Sequence, residues 1–256
     1  MYTTGRNKQE DKMLLFGTRA VIEAIKSDKE IDKLYLQTSL NNELSRELMM
    51  LIKEQNIPFQ YVPVEKLNRL TGKNHQGVVG YLSELSYQKI EDILPFLFEQ
   101  GKVPLLLVLD RITDVRNFGA ISRSAECAGV DAIIIPSRGA AQVNADAIKT
   151  SAGALHKIAV CREENLKQTI DYLKESGLRI IACSEKAEHY HFDCDLKVPL
   201  AILMGSEEDG ISSEYLKRAD DLVKIPMQGT IESLNVSVAT GIVLFEVIRQ
   251  RMGDRG

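Results

Sequence analysis

Six times in its second half the chain returns to a short, predominantly apolar run, at residues 105–109, 132–135, 157–160, 179–183, 200–204 and 221–225. Runs of this length are too short to span a membrane and too continuous for a strand with one wet face. Helix-period stretches lie among them at 118–128, 165–176 and 212–218, and another follows at 236–251. Strands that are apolar on both faces and alternate with helices predict an α/β domain, with a mostly parallel sheet covered by helices on both sides.

The first third reads as a separate, smaller α/β unit. Ala20, Val21, Ala24 and Ile25 mark a short amphipathic helix, and residues 31–37 (IDKLYLQ) alternate like a half-buried strand. A second helix at 42–56 carries Leu44, Leu48, Leu51 and Ile52 on one face; strand 59–62, helix 64–70 and strand 78–83 complete the unit. At roughly 70 residues it stands near the lower limit for independent folding. Residues 85–102 contain Pro95 and close on Gly101-Lys-Val-Pro104, so they read as a linker with a short helix at 90–98. The predicted organisation is a polar, disordered lead-in at 1–12, a small domain at 13–84, this linker, and a large domain at 103–256.

Composition narrows the setting. No apolar segment near the N-terminus resembles a secretory signal, and Cys127, Cys161, Cys183 and Cys194 form neither a CxxC pair nor a disulfide framework. The expectation is a cytoplasmic protein, without a membrane partner or a metal, in which Cys127 and Cys183 are core residues. The formal charge of −4 does not advertise nucleic-acid binding: residues 1–90 hold 13 Lys and Arg against 11 Asp and Glu, the remainder 19 against 25. A nucleic-acid surface must therefore be a local patch. His189-Tyr-His191 has chelating spacing but no evident third ligand, and reads as a surface loop. Arg249, Arg251 and Arg255 read as ordinary cations of a C-terminal helix.

In a parallel sheet, ligands bind where loops leave the carboxyl ends of strands. The loop after 105–109 runs from Asp110 to Asn117, which is placed to cap the next helix, with Arg123 in that helix's second turn. This is either a capped helix with a surface arginine or a site for a phosphate or ribose hydroxyl. The loop after 200–204 is Gly205-Ser-Glu207-Glu-Asp-Gly210, either a solvated turn or a close backbone approach to a ligand. The third runs from Ile225-Pro-Met227 to Ser233-Leu234-Asn235-Val-Ser237 at the start of the last helix. Capping explains one of its three polar side chains, not the crowding of all three. None of the loops is a dinucleotide fingerprint or a P-loop.

Together, Asn117-Phe-Gly-Ala-Ile-Ser-Arg123, Leu203-Met-Gly-Ser-Glu207-Glu-Asp-Gly210, and Ile225-Pro-Met through Ser233-Leu-Asn-Val-Ser-Val-Ala resemble the three motifs of the SpoU (TrmH-type) branch of the SPOUT RNA methyltransferases. The resemblance spans roughly residues 105–251. It implies a trefoil knot near the C-terminus, a homodimer, S-adenosylmethionine as cofactor, and methyl transfer to a ribose 2′-hydroxyl of RNA. It also assigns the catalytic set Asn117, Arg123, Glu207, Ser233 and Asn235, and a cofactor held mainly by backbone at Gly205, Ile225, Met227 and Leu234.

Phe16-Gly17 with Ala20-Val21-Glu23-Ala24, and Lys73-Asn-His75-Gln76-Gly77-Val-Val79, are similar to the L30e-like substrate-binding domain of bacterial 23S rRNA guanosine-2′-O-methyltransferases. That likeness implies an RNA-binding first domain, RNA contacts from His75 and Gln76, and a guanosine of 23S rRNA as target. The alternatives are another rRNA site, a tRNA, or a non-catalytic RNA-binding assembly factor.

Overall fold

A computed structural model of the chain describes residues 14–27, 29–141, 143–231 and 233–253. The lead-in expected at 1–12 and the cation Arg255 lie outside the described residues. The chain divides into two compact units, one running to Ser86 and including Val143–Ala145, the other formed by Tyr87–Gln142 and Asp146 onward.

The first unit contains β1 (Leu14–Phe16), α1 (Thr18–Lys26), β2 (Ile31–Gln37), α2 (Glu43–Glu54), β3 (Phe59–Val62), α3 (Val64–Leu70) and β4 (Val78–Leu82). The sheet order is β1-β4-β2-β3, with β4 antiparallel to β1 and β2, and β3 parallel to β2. Leu34 and Leu36 of β2 meet Val21 and Ile25 of α1 and Leu48 and Ile52 of α2 on one face. On the other, Leu67 of α3 closes a smaller cluster with Val62 and Val79, against which Phe16 and Tyr35 pack. Helix α2 starts where its capping residues put it: Asn42 Oδ1 accepts from Ser45 N at 2.8 Å and Ser45 Oγ accepts from Asn42 N at 2.9 Å.

The second unit contains α4 (Ile90–Glu99), β5 (Leu105–Leu109), α5 (Val115–Cys127), β6 (Ala132–Pro136), α6 (Ala145–Thr150), β7 (Ala159–Glu163), α7 (Leu166–Glu175), β8 (Arg179–Cys183), β9 (His189–Tyr190), β10 (Leu200–Met204), α8 (Ser213–Leu216), β11 (Asp221–Lys224) and α9 (Val236–Met252). Seven strands form one sheet in the order β7-β6-β5-β10-β8-β11-β9, and each recorded pairing is parallel. Every residue of β5 and β10 is buried, as their unbroken apolar runs require. Among the described residues no helix is long and apolar enough to cross a membrane.

Several expectations are corrected. The helix expected inside a linker is α4, and its Ile90, Leu94 and Leu97 are buried in the core of the second unit beside Leu106, Ala132 and Cys161. Residues 189–191 are not a loop: His189 and Tyr190 form an edge strand on β11, and His191 is buried. Cys127 is exposed, because α5 turns Phe118, Ile121 and Ala125 inward and leaves its last residue outside; Cys183 is half-buried. Arg251 is no ordinary helix-end cation. Its guanidinium donates to the carbonyls of Leu196, Val103, Pro104 and Val198, at 3.3, 2.9, 3.2 and 2.9 Å, and burial holds its pKa below the usual arginine value.

Candidate active site

The order of the large sheet decides where a site forms. From β5 the chain proceeds to β6 on one side, and from β10 it proceeds to β11 on the other. The loops leaving β5 and β10 therefore diverge and open a crevice at the carboxyl ends of the two central strands. A cleft of about 590 Å³ lies there, bordered by Arg111, Asp114, Asn117, Glu207, Asp209 and Val236, a size suited to a small organic ligand.

Asp110, the residue after β5, is 2% exposed. Its carboxylate accepts from Ser212 N and Ser212 Oγ, both at 2.7 Å, and from Arg111 Nε at 3.0 Å. Arg111 also reaches Asp209 Oδ2 at 3.0 Å and the carbonyl of Gly210 at 3.3 Å. Its backbone adopts φ 58, the left-handed region that a non-glycine residue seldom occupies. A buried carboxylate and a strained arginine thus bolt the 205–212 loop to the end of β5. The carboxylate pair raises the Arg111 pKa, chiefly through the hydrogen bond from the guanidinium to Asp110. Gly205 has a packing reason as well: a Cβ there would stand 2.2–2.4 Å from the backbone of Gly210 and Ile211.

Helix α5 begins earlier than expected. Asp114, not Asn117, is its cap, accepting from Asn117 N at 2.8 Å, so Asn117 lies inside the first turn with its amide free for other work. Arg123 consequently falls in the third turn, where it is exposed and makes no ion pair or hydrogen bond among the described residues. Gly119 lets α6 press against α5, since a Cβ would meet Ala147 O and Thr150 Cβ at 2.7 Å.

The third loop delivers α9 to the same place. Asn235 caps that helix, its Oδ1 accepting from Ser237 N at 3.0 Å and Ser237 Oγ at 2.5 Å. Its Nδ2 donates to Asn117 Oδ1 at 2.9 Å and to Glu207 Oε1 at 2.5 Å, and the same Glu207 oxygen accepts from Val236 N at 3.1 Å. One side chain from each of the three loops therefore joins a single hydrogen-bonded knot of groups at the N-terminus of α9. The positive end of that helix favours the Glu207 carboxylate.

Not every expected residue joins it. Ser233 is exposed and makes no side-chain hydrogen bond among the described residues. Neither Arg123 nor Gly205, Ile225, Met227 and Leu234 borders the cleft. Among the described residues, however, no hydrogen bond engages the backbone of Ile225, Met227 or Leu234, which leaves those groups open to a ligand. In the first unit, His75 is buried with both ring nitrogens engaged: Nδ1 accepts from Gly77 N at 3.0 Å and Nε2 bonds Asn68 Oδ1 at 2.9 Å. It braces a turn, while the adjacent Gln76, at φ 49, is exposed. Asp110, Arg111 and Ser212 were not anticipated. Two charges directly after an unbroken apolar strand were the available signal.

Two family models match the chain: SpoU rRNA Methylase family over residues 104–245, and RNA 2'-O ribose methyltransferase substrate binding over residues 14–88. The chain is 35% identical over 245 residues to the putative TrmH family tRNA/rRNA methyltransferase YacO of Bacillus subtilis (strain 168), covering 96% of this chain and 98% of that protein. It is 42% identical over 203 residues to the 23S rRNA (guanosine-2'-O-)-methyltransferase RlmB of Vibrio parahaemolyticus, covering 76% and 81%. Among solved structures, the AdoMet-bound rRNA methyltransferase from Sinorhizobium meliloti is similar with a TM-score of 0.60 and 26% identity, over 95% of this chain and 90% of that one.

Proposed function

Since the chain belongs to the SpoU rRNA methylase family, we propose that the hydrogen-bonded cluster of Asn117, Glu207 and Asn235 is the core of its active site, and that its target is a guanosine of 23S rRNA. The chain is an S-adenosylmethionine-dependent RNA 2′-O-methyltransferase. The convergence of the three loops on Asn235, at the switch point of the sheet, carries the assignment of the site.

The residues present fit the cofactor. The uncommitted backbone at Ile225, Met227 and Leu234, with Gly205 at the strand end, suits an adenine held edge-on. Once bound, S-adenosylmethionine supplies an electrophilic methyl group, so the protein's task is to orient a ribose hydroxyl and provide for its proton. Asn117, Glu207 and Asn235 hold the three loops in register. Arg123 projects a guanidinium without a partner among the described residues, suited to a substrate phosphate or to orienting the hydroxyl; deprotonating an arginine is too costly for it to serve readily as the base. Ser233 stands exposed on the substrate side. Arg123→Ala should abolish methyl transfer with cofactor affinity nearly unchanged, as titration of each variant would show; loss of both would make Arg123 structural.

The finer reading of the fold includes a trefoil knot around the third loop and an L30e-like first unit that binds the substrate RNA through Gln76, with His75 as its brace. A homodimer is supported by α9, whose Val238, Ile242, Phe245 and Met252 are exposed opposite a fully buried face. Apolar side chains left on the outer side of a helix whose inner side is already packed call for cover. Methyl transfer from labelled S-adenosylmethionine into purified rRNA and tRNA, with the nucleoside identified by mass, tests the whole proposal. 2′-O-methylguanosine confined to large-subunit rRNA is the expected product; label in tRNA, which the name of the Bacillus relative also allows, would keep the reaction and overturn the target.

A further inference from the structure

We infer that the open part of the first unit's sheet, around Tyr35, grips the sugar-phosphate backbone of an RNA strand; this rests on the methyltransferase reading and gives its RNA substrate a specific surface. The side chains of Lys33 and Tyr35 alternate onto one face of β2, and Lys33 pairs across the sheet with Tyr81 of β4. Phe16 and Tyr35 belong to the cluster under α3, on the face that this short helix only partly covers. Lys33 Nζ lies 5.1 Å and Lys66 Nζ 4.8 Å from the Tyr35 ring centroid; Lys73 Nζ lies 5.1 Å from that of Phe16. Tyr81 meets Tyr35 edge-on, with centroids 6.3 Å apart.

What singles out this face is the gathering of three lysines on its aromatic rings, two of them on one ring. Lys26, Lys102 and Lys174 each have a carboxylate partner, at 2.6, 3.5 and 2.7 Å. Lys33, Lys66 and Lys73 have none among the described residues. Two ammonium groups share one ring, whose negative face holds them together against their mutual repulsion without neutralising either. A polyanion brings the missing counter-charge and releases its own condensed ions, so each phosphate met here adds to affinity and to its salt dependence. In a chain of net charge −4, this is the kind of local patch that RNA binding requires.

The test uses the full-length protein, protein-free 23S rRNA as probe, and the double variant Lys33→Ala with Lys66→Ala. Arg46→Ala with Lys53→Ala, on α2, removes the same charge elsewhere. The face variant should bind rRNA about ten-fold more weakly, and the slope of log affinity against log salt should flatten by about 1.4, the value for two phosphates on a single strand. Its KM for RNA should rise with kcat and cofactor affinity unchanged, while the α2 variant behaves as wild type. Equal losses in both variants, or none in the face variant, would overturn the proposal while leaving methyl transfer by the wild type intact. A wild type that binds rRNA through this face yet transfers no methyl group would instead overturn the methyltransferase reading and leave the face standing. A wild type that does not bind rRNA would overturn the face directly.

Discussion

Asn235 has no spare hydrogen-bonding capacity. Its oxygen caps α9 and its two amide hydrogens go to Asn117 and Glu207, so the last helix and all three loops meet in one group. Asn235→Asp should keep the cap yet turn a carboxylate toward Glu207. Methyl transfer should fall by about 100-fold or more, the scale of losing one well-placed polar group, with only a small change in thermal midpoint. Adding Glu207→Gln restores a donor opposite the new carboxylate, so the double variant should recover part of the loss; strict additivity would disprove the direct coupling. These residues were legible in the sequence because each sits in a short motif. Asp110 was not, because its partner Ser212 lies 102 positions away and only the folded chain brings them together.

Among the elements, β5 and β10 could be read from their composition, since a strand buried on both faces has no choice but to be apolar throughout. β1 and β9, of three and two residues, exist by virtue of their neighbours and leave no periodicity to read. Helix α4 shows how an element's end is governed from elsewhere: Glu163, at the end of β7, accepts from Ile90 N at 3.2 Å in its first turn. Burial raises the Glu163 pKa, against the opposing effects of that bond and of Lys89. A folded-state value above the unfolded one means that the protonated form is favoured on folding, so the contribution is present at low pH and is lost as pH rises through the folded value. Glu163→Gln, whose oxygen can still accept from Ile90, should therefore stabilise the protein at neutral pH. That gain should fade as the pH falls through the ordinary glutamate range; urea midpoints from pH 4 to 8 would show it, and a destabilised variant at pH 7 would refute the assignment.

On the scale of the whole molecule, the parallel α/β character of the larger unit was readable, whereas the strand order was not: pairing partners leave no local trace. The last helix is fastened by Arg251 to four carbonyls that precede β5 and β10, at the edge of the sheet away from the cleft. Arg251→Ala strands those acceptors and should lower stability by about 2–4 kcal/mol. Arg251→Lys should rescue little, because an ammonium cannot span the fork of sites that a planar guanidinium fills; chemical denaturation of the three proteins would decide this. The position of β10 bears on how such a chain is made. It lies between β5 and β8, yet both are synthesised before it. A nascent chain leaving the ribosome therefore holds a β7-β6-β5 fragment and a β8 with no sheet partner until β10 emerges between them, and the crevice framed by β5 and that late strand is among the last features to take shape.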